Sequence, residues 1–261
     1  MDVGVVVPAY RPDPERLVGY VHDVVERLDP AVVRVELDAP RESVRDRLAG
    51  LPERATVNAV DRRRGKGAAI TAGFEALERD VLAFVDADGS TPAGSFADVV
   101  APVADGRAPL AVGSRRHPDA AVAAHQTFAR RFMGDGFAWL ARRALDVTLY
   151  DYQCGAKAVS ADAWRAVREH LHEPGFAWDI ELVAVADALG HEVCEVPVRW
   201  EDRPGSTVSP LGDGYRLARG LAVARHRARL LRGDGLHATL ATHAGGSAAL
   251  VDRLAADAAE E

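Results

Sequence analysis

The sequence is poor in several features that would each indicate a particular class of protein. It has two cysteines, Cys154 and Cys194, which give no disulfide framework and are typical of a reducing compartment. It has no apolar run of about 18 residues or more, so we expect no membrane-spanning helix. It begins directly with strand-like sequence, so we expect no secretory signal. Its net charge of −7 argues against a general nucleic-acid-binding protein.

Lysine is also scarce: Lys66 and Lys157 are the only lysines, and all other basic side chains, histidine aside, are arginines.

The length of 261 residues suits one large domain, or a domain with an extension. An apolar content of 48% is typical of a globular protein with a sizeable core. We find no internal repeat and no low-complexity linker.

Strand and helix signals alternate along the first half of the chain. Short apolar runs predict strands over residues 3–7, 32–37, 55–60, 81–85 and 110–113. Helical spacing predicts helices over residues 13–28, 66–78 and 91–103, the first with a cap and a proline at its start. This alternation gives right-handed crossovers and a mainly parallel sheet with helices on both faces, which is the α/β class.

The second half of the chain is less regular. Residues 120–145 are predicted to be helical, with an interruption near Gly134 and Gly136. Residues 156–159 and 192–200 have the composition of strands, and residues 179–189 that of a helix. The tail after Gly233 is rich in alanine, glycine, threonine and acidic residues, and we expect it to be weakly structured.

An amphipathic helix is predicted over residues 213–232. One apolar stripe contains Leu217, Leu221, Ala224, Ala228 and Leu231, and most of the remainder is arginine, at positions 216, 219, 225, 227, 229 and 232. The helix either packs on the domain surface or lies against an anionic membrane surface, and the two are compatible. We therefore divide the chain into a domain (residues 1–212), this helix (213–232) and an acidic tail (233–261).

Two carboxylates follow the most apolar of the predicted strands, at residues 81–85. Asp86 and Asp88 flank Ala87, and turn-forming residues come directly after them. Ligands of open α/β sheets bind outside the carboxyl ends of the strands. Two aspartates there offer oxygen ligands to Mg²⁺ or Mn²⁺, which could then bridge to a diphosphate. The alternative is an ordinary turn, because these residue types are common turn formers.

Basic residues stand at two further loop positions. Residues 61–67 (Asp-Arg-Arg-Arg-Gly-Lys-Gly) place Lys66 at the start of a predicted helix, where backbone N–H groups and a cation can meet an anion. The alternative is a solvated basic turn. Arg115 follows the strand over 110–113 and should emerge at the same edge as the aspartates, with Arg131 on the next helix. Arginines facing carboxylates suit a site that binds phosphate groups.

Three more segments carry polar side chains into predicted structure. Residues 150–157 (Tyr-Asp-Tyr-Gln-Cys-Gly-Ala-Lys) include Gly155, which indicates a close backbone approach. Residues 178–181 (Trp-Asp-Ile-Glu) place Asp179 and Glu181 in the first turn of a helix, where capping and the helix dipole would explain them without any ligand. Residues 199–207 form a cationic loop that could bind phosphate or act as a lid.

With these motifs in order, the chain resembles the family 2 glycosyltransferases, which have the GT-A fold. Within them it is similar to the polyprenyl-phosphate sugar synthases, and most of all to the dolichyl-phosphate β-glucosyltransferases. The resemblance runs over about residues 1–232 and rests on residues 7–10, 64–68, 85–89, 113–115, 151–157, 178–181 and 196–200. Each of these motifs is weakly specific alone, but their ordered set is strongly specific.

The resemblance implies an inverting transfer of a hexose from a nucleoside-diphosphate sugar to a polyprenyl phosphate, with Mg²⁺ or Mn²⁺ as cofactor. It implies that the donor contacts Pro8, Ala9, Tyr10, Asp38, Lys66, Asp86, Ala87, Asp88, Gln153 and Glu181. The metal would be held by Asp86 and Asp88, and the acceptor phosphate by Arg115, Arg131, Arg203 and Ser206. Asp88, Asp179 and Arg115 are the residues expected to take part in catalysis.

A phosphate acceptor fits this set of residues chemically. A phosphate monoester carries about −1.5 to −2 charges at pH 7, so its oxygen is already a nucleophile and needs no general base. We therefore expect Asp179 to position the sugar rather than to act as a base. Metal and arginines would stabilise the departing diphosphate.

The sequence departs from the family pattern at the end of the second strand, where Asp38 replaces an Asp-Asp-Gly-Ser motif that contacts the nucleoside. UDP-glucose is the expected donor, and GDP-mannose is the nearest alternative. A glycan or soluble acceptor would require a base, most plausibly Asp179. A nucleotide-sugar-binding protein without catalysis is a further alternative. Many relatives carry C-terminal membrane helices, whereas here the arginine-rich helix would have to make a peripheral contact on the cytoplasmic face of a membrane.

Overall fold

The structure is a computed structural model, and it describes the backbone of residues 1–123, 128–201, 210–241 and 248–259. Side chains are described for residues 1–122, 136–201, 215–240 and 248–259. The described chain forms nine strands: β1 Val3–Tyr10, β2 Val32–Asp38, β3 Ala55–Val60, β4 Val81–Val85, β5 Leu110–Ser114, β6 Ala121–Ala123, β7 Ala156–Ser160, β8 Val193–Pro197 and β9 Arg199–Glu201.

Seven of these strands form one sheet in the order β3-β2-β1-β4-β7-β5-β8. Strand β7 runs antiparallel to both of its neighbours, β4 and β5, and every other pair in this sheet is parallel. The two remaining strands, β6 and β9, pair in parallel as a small second sheet. The predicted α/β class with a mainly parallel sheet is confirmed.

Ten α-helices connect or flank the strands of the described chain. They are α1 Pro14–Leu28, α2 Glu42–Arg47, α3 Lys66–Glu75, α4 Ala93–Ala104, α5 Phe128–Ala144, α6 Ala161–Val167, α7 Trp178–Ala188, α8 Pro210–Leu231, α9 Gly235–Ala241 and α10 Leu250–Ala259. No helix in the described ranges combines the length and the apolar character that a membrane crossing requires.

The sheet is covered on both faces, and each face has its own apolar core. One core packs α1 and α4 against the sheet and contains Val5, Leu17 and Phe96. The other packs α3, α6, α7 and α8 against the opposite face. The second core includes an edge-to-face cluster of aromatic rings, in which Trp178 lies 5.7 Å from Phe84 between ring centroids. This cluster fixes α7 against β4. Asp179 lies on α7, and Asp86 follows β4.

Several predicted boundaries were wrong for reasons of pairing. Strand β1 continues through Tyr10, because its pairing with β2 runs on to Asp38 despite the turn-forming residues that follow Val7. The segment predicted as one strand over 192–200 is two strands, since the chain leaves the main sheet at Val198 and pairs next with β6. Strand β6 itself occupies residues predicted to be helical, and α5 runs on without the interruption predicted near Gly134.

The tail after Gly233 is also more ordered than we predicted. Asp234 caps α9 by accepting hydrogen bonds from the N–H groups of Leu236 and His237, at 3.1 and 3.2 Å. Leu250 at the start of α10 is buried in the core, and its N–H donates to Leu171 at 2.7 Å. A low content of large apolar residues concealed these helices, because α10 is held by few apolar side chains, Leu250 and the partly buried Leu254, and by polar contacts such as the ion pair between Arg62 and Asp257.

Helix α8 packs on the domain, as one of the two sequence interpretations required. Leu221, Ala224 and Ala228 of the predicted apolar stripe are buried, and the helix lies along α7. Three of its arginines are paired within the chain: Arg225 with the carbonyl of Ala144, Arg227 with Glu181, and Arg229 with Asp146. Arg232, directly after the helix, pairs with Asp146 and Asp187. The division of the chain at residues 212 and 232 stays a prediction.

Candidate active site

The candidate site lies at one edge of the main sheet. Strands β1, β2, β4 and β5 all point toward this edge, because β4 and β5 are both antiparallel to β7 and the first three are parallel to one another. Strand β7 starts at the same edge. The topology therefore gathers Tyr10, Asp38, Asp86 and Arg115 with the residues that precede β7. The N-terminal ends of α3 and α7 add Lys66 and Asp179.

The side chain of Asp86 lies directly over Gly155. The register of β4 and β7 sets these two residues opposite each other, and the N–H of Asp86 donates to the carbonyl of Gly155 at 2.9 Å. A Cβ atom placed on Gly155 would lie 1.9 Å from Oδ2 of Asp86, so a side chain here would displace the carboxylate. This confirms the close backbone approach predicted at Gly155. Asp88 is exposed, and its Oδ1 accepts the N–H of Ser90 at 2.9 Å.

Four charged side chains of alternating sign run from this edge into the core. Nζ of Lys66 lies 2.9 Å from Oδ1 of Asp86 and 3.1 Å from Oδ2 of Asp179. Oδ1 of Asp179 in turn lies 2.9 Å from Nζ of Lys157. Lys157 also donates to the carbonyl of Cys154 at 2.7 Å. The two lysines of the sequence thus hold Asp179 between them.

The charges in this row set the protonation of its carboxylates. Burial would raise the pKa of Asp179, but Lys157 and Lys66 outweigh it and hold that pKa below its usual value. The pKa of Asp86 is raised, because desolvation of its carboxylate and the nearby charges of Asp88 and Asp179 outweigh Lys66. Asp179 is therefore held in its ionised form, and its surroundings do not favour a role as a proton acceptor.

Arg115 forms a bidentate ion pair with Asp151. Its Nε lies 2.6 Å from Oδ2 and its Nη2 lies 3.0 Å from Oδ1, and its backbone N–H donates to the same carboxylate. Burial would raise the pKa of Asp151, but the guanidinium holds that pKa well below its usual value. The pair ties the end of β5 to the start of the segment that leads into β7. The guanidinium carbon lies 5.9 Å from the ring centre of Trp200.

Asp38 organises the basic turn that precedes α3. Its carboxylate accepts the N–H groups of Arg64 and Gly65 at 2.8 and 3.0 Å, and Nε of Arg64 at 2.8 Å. The fully buried Glu36 accepts Nη2 of Arg64 at 2.8 Å. Gly65 has a φ of 103°, a value that favours glycine. The structure therefore gives Asp38 a positioning role, and its predicted contact with a donor stays a prediction.

Two further predicted donor contacts, Tyr10 and Gln153, lie outside the row of charges. Tyr10 is half-buried, and the guanidinium of Arg63 lies 4.2 Å from its ring centre. Gln153 is half-buried, and its backbone N–H donates to Asp151 at 3.0 Å. Pro8 and Ala9 lie near the end of β1, and Ala87 lies between Asp86 and Asp88, after the end of β4. Arg203, Ser206 and the side chain of Arg131 lie outside the described residues.

Glu181 is the residue whose surroundings differ most from our expectation. Its buried Oε2 accepts the backbone N–H groups of His172 and Glu173, at 2.9 and 2.8 Å. Its other oxygen accepts from Arg227 of α8. The carboxylate thus supports a loop, and the predicted contact with a sugar remains a prediction.

Sequence reasoning assigned no role to Lys157 or Asp151, although each is buried and has a charged partner in the site. The signal for Lys157 was available, since a lysine inside the apolar run over residues 156–159 requires a buried counter-charge. The partner itself, Asp179, is 22 residues away on another element. Asp151 had no comparable signal, because an aspartate next to a turn needs no partner.

The residues at the edge suit a hard divalent cation. Asp88 offers an exposed carboxylate and Asp86 a half-exposed one, and both supply oxygen ligands. No group of three or more histidine, cysteine or acidic side chains that could hold a metal ion occurs within the described residues. This donor set fits an ion such as Mg²⁺ that keeps only one or two protein carboxylates and completes its shell with substrate phosphates and water.

Comparison with known proteins decides the family. Residues 5–151 match the family described as glycosyl transferase family 2. The chain belongs to glycosyl transferase family 2. Glycosyltransferase AglD of Haloferax volcanii is 32% identical over 222 residues, which cover 82% of this chain and 35% of that protein. The dolichyl-phosphate beta-glucosyltransferase of Drosophila melanogaster is 30% identical over 175 residues, which cover 65% of this chain and 53% of that protein.

The match covers only part of these relatives, because the chain spans about a third to a half of their length. Among solved structures, glucosyl-3-phosphoglycerate synthase from Mycobacterium tuberculosis is similar, in a complex with Mn²⁺, UDP-glucose and phosphoglyceric acid. The TM-score is 0.62 at 19% identity, over 86% of this chain and 79% of that one. At this identity the likeness shows the fold, and the predicted GT-A fold and family 2 membership are confirmed.

Proposed function

We propose that this family 2 glycosyltransferase moves a hexose from a nucleoside-diphosphate sugar to a polyprenyl or dolichyl phosphate. Glucose from UDP-glucose is the proposed donor group, and the transfer inverts the anomeric centre. The relatives named dolichyl-phosphate beta-glucosyltransferase, at 27–34% identity, support the glucose and the lipid phosphate. The carboxylate of Asp179, which is held between Lys66 and Lys157, is the observation that supports a phosphate as the acceptor.

Transfer to a hydroxyl group would require a base at the site, whereas transfer to a phosphate does not. Asp179 was the most plausible base, but its oxygens are occupied by Lys66 and Lys157 and its pKa is lowered. A carboxylate held in this way is a poor proton acceptor at neutral pH. An acceptor that is already ionised needs no base, and a phosphate monoester is ionised at neutral pH.

The donor diphosphate would lie between Asp88 and Lys66. Asp86 and Asp88 would hold Mg²⁺ or Mn²⁺, which supplies positive charge to the departing diphosphate. Lys66 at the start of α3 adds a cation and is held by Asp86 and Asp179, so it is already oriented before a ligand binds. Arg115, with Arg131, Arg203 and Ser206, is proposed to meet the acceptor phosphate.

We also propose that the protein works as a peripheral protein on the cytoplasmic face of a membrane. Its contact would be the N-terminal half of α8, since the arginines of the C-terminal half are paired within the fold. Arg219 lies on that first half and is exposed. Sedimentation with vesicles containing about 30% anionic lipid tests this, because each basic residue near such a surface adds about 1 kcal/mol. Arg219→Gln should weaken the association, and equal binding to neutral vesicles would contradict the proposal.

The decisive experiment compares acceptors that differ in one group. The purified protein is incubated with Mn²⁺, radiolabelled UDP-glucose and either a polyprenyl phosphate or the corresponding polyprenol. Glycolipid is expected with the phosphate and not with the alcohol. GDP-mannose in parallel reactions tests the donor, and the configuration at the anomeric carbon, read by NMR, tests inversion.

Two outcomes would refute the proposal. If the protein hydrolyses the donor without forming a lipid product, polyprenyl phosphate is not its acceptor. Equal transfer to polyprenol would show that a base operates at the site. Asp88→Asn should abolish activity if the metal is held as proposed. Arg165→Gln is the matched control, since Arg165 forms an exposed ion pair on α6 and should leave the rate unchanged.

A further inference from the structure

The loop over residues 172–175, before α7, contacts the carboxylate of Glu181. Oε2 of Glu181 accepts both His172 N–H and Glu173 N–H, at 2.9 and 2.8 Å. Glu181 is almost completely buried, so it requires a cation, and Arg227 of α8 supplies one through Oε1. A residue on a helix late in the chain therefore neutralises the group that shapes this loop.

The same loop forms the wall against which the basic turn packs. The carbonyl of Pro174 accepts Ala68 N–H at 3.0 Å. A Cβ atom on Gly65 would lie 2.5 Å from that carbonyl oxygen, and one on Gly67 would lie 2.6 Å from the carbonyl oxygen of Glu173. Both glycines flanking Lys66 are thus in close contact with the loop, so a shift of the loop would displace the backbone that carries Lys66.

The opposite side of the loop is fixed by the segment that begins α10. Leu171 O accepts from Leu250 N–H at 2.7 Å, and His172 O accepts from Arg253 at 2.5 Å. His172 Nδ1 also lies 3.0 Å from the carbonyl oxygen of Ala248. The end of the loop at residues 171–172 is therefore held independently of Glu181, and a change at Glu181 acts mainly on residues 173–175.

We propose that Glu181 and Arg227 are positioning residues for donor binding: they hold the loop over residues 172–175, and the loop holds Lys66. This inference rests on the proposed function only in taking Lys66 as a donor contact. The chain of contacts runs from α8 through Arg227, Glu181 and the loop to the basic turn. Neither Glu181 nor Arg227 needs to touch the nucleotide sugar for this effect.

The test uses Arg227→Gln, Arg227→Lys and Glu181→Gln in the full chain. Affinity for UDP is measured by titration calorimetry in the presence of Mn²⁺, and KM and kcat are measured for UDP-glucose. We expect Arg227→Gln to weaken UDP binding and raise KM about tenfold, with a smaller change in kcat, since a misplaced Lys66 loses binding in ground and transition state alike. Arg227→Lys should restore most of the affinity, because Arg227 reaches Glu181 through a single nitrogen.

Arg229→Gln is the matched control. Arg229 lies on the same helix and pairs with an acidic residue, but that residue is Asp146, away from the loop. It should leave UDP affinity unchanged. An Arg227→Gln protein that melts at the same temperature and binds UDP within twofold of the unaltered protein would overturn the proposal.

Hydrogen exchange separates this inference from the proposed function. The amide of Ala68, bonded to Pro174, should exchange faster in Arg227→Gln and Glu181→Gln than in Arg229→Gln. If the unaltered protein binds no UDP, the proposed function fails while the exchange rates still decide whether Arg227 holds the loop. Unchanged exchange at Ala68 in both loop variants would refute the positioning role on its own.

Discussion

Lys157→Met is the substitution that tests the row of buried charges most directly. Lys157 is 1% exposed, and its ammonium neutralises Asp179, whose side chain is 3% exposed. Methionine keeps much of the apolar stem, so the change removes a charge with little loss of packing. Breaking a buried ion pair by removing one partner costs about 3–5 kcal/mol. Because Lys66 still contacts Asp179, we expect the low end, about 3 kcal/mol.

Urea unfolding followed by tryptophan fluorescence measures this loss, since Trp164 and Trp178 are both buried. The pH dependence gives a second test. A carboxylate with a lowered native pKa contributes stability above its ordinary pKa and loses it as the pH falls through the native pKa. Lys157 lowers the pKa of Asp179, so the difference between variant and unaltered protein should be largest at neutral pH and narrow below about pH 4.

A double-mutant cycle with Asp179→Asn completes the test. The two changes together should cost less than their sum, because each removes the partner that the other leaves unpaired. Arg165→Gln, which breaks an exposed pair, should cost less than about 0.5 kcal/mol and serves as the control. A loss at Lys157→Met as small as that, or strict additivity in the cycle, would refute the reasoning.

Three further predictions concern single positions. Gly155→Ala should displace Asp86 and lower transferase activity about 100-fold while the far-UV circular dichroism stays unchanged, and full activity would contradict the close contact. Thr71→Val should cost about 1–3 kcal/mol in urea unfolding, because Trp178 Nε1 loses its buried acceptor at 3.1 Å. Ser114→Ala should leave the free energy of unfolding unchanged or raise it by about 1 kcal/mol, since its buried Oγ has no partner in the described structure; a loss above that would reveal one.

Local patterns were sufficient to predict the elements of the first half. Strand β4 is apolar at every position and buried at every position, so composition alone located it between Val81 and Val85. The aspartates that follow it were correctly expected at the sheet edge, because strand direction in alternating α/β chains follows from the crossover rule. The predicted placement of Arg115 at the same edge follows from the same reasoning, and the predicted start of a helix at Lys66 also agrees with the structure.

The parts that were not predicted depend on pairing between distant residues. Strand β6 has three residues and exists only because β9, 78 residues later, pairs with it. Helix α10 depends on Leu250 reaching the core beside Leu171. The ion pairs of Asp179 and Glu181 likewise join elements far apart in the chain. An acidic residue in the first turn of a helix has the same sequence pattern whether or not a distant lysine or arginine pairs with it.

The ion pair between Arg115 and Asp151 has a consequence for how this architecture can vary. The chain leaves the sheet edge at Arg115 and returns to it at Asp151, and the two residues are bonded through both side chain and backbone. The segment between them leaves the sheet edge and returns to it, and the ion pair joins its two ends. Lengthening such a loop costs little entropy, about 0.6 kcal/mol for each doubling. An insertion at the exposed residues Pro118 and Asp119 can therefore change this segment while β4, which precedes Asp86, and α3, which begins at Lys66, keep their positions.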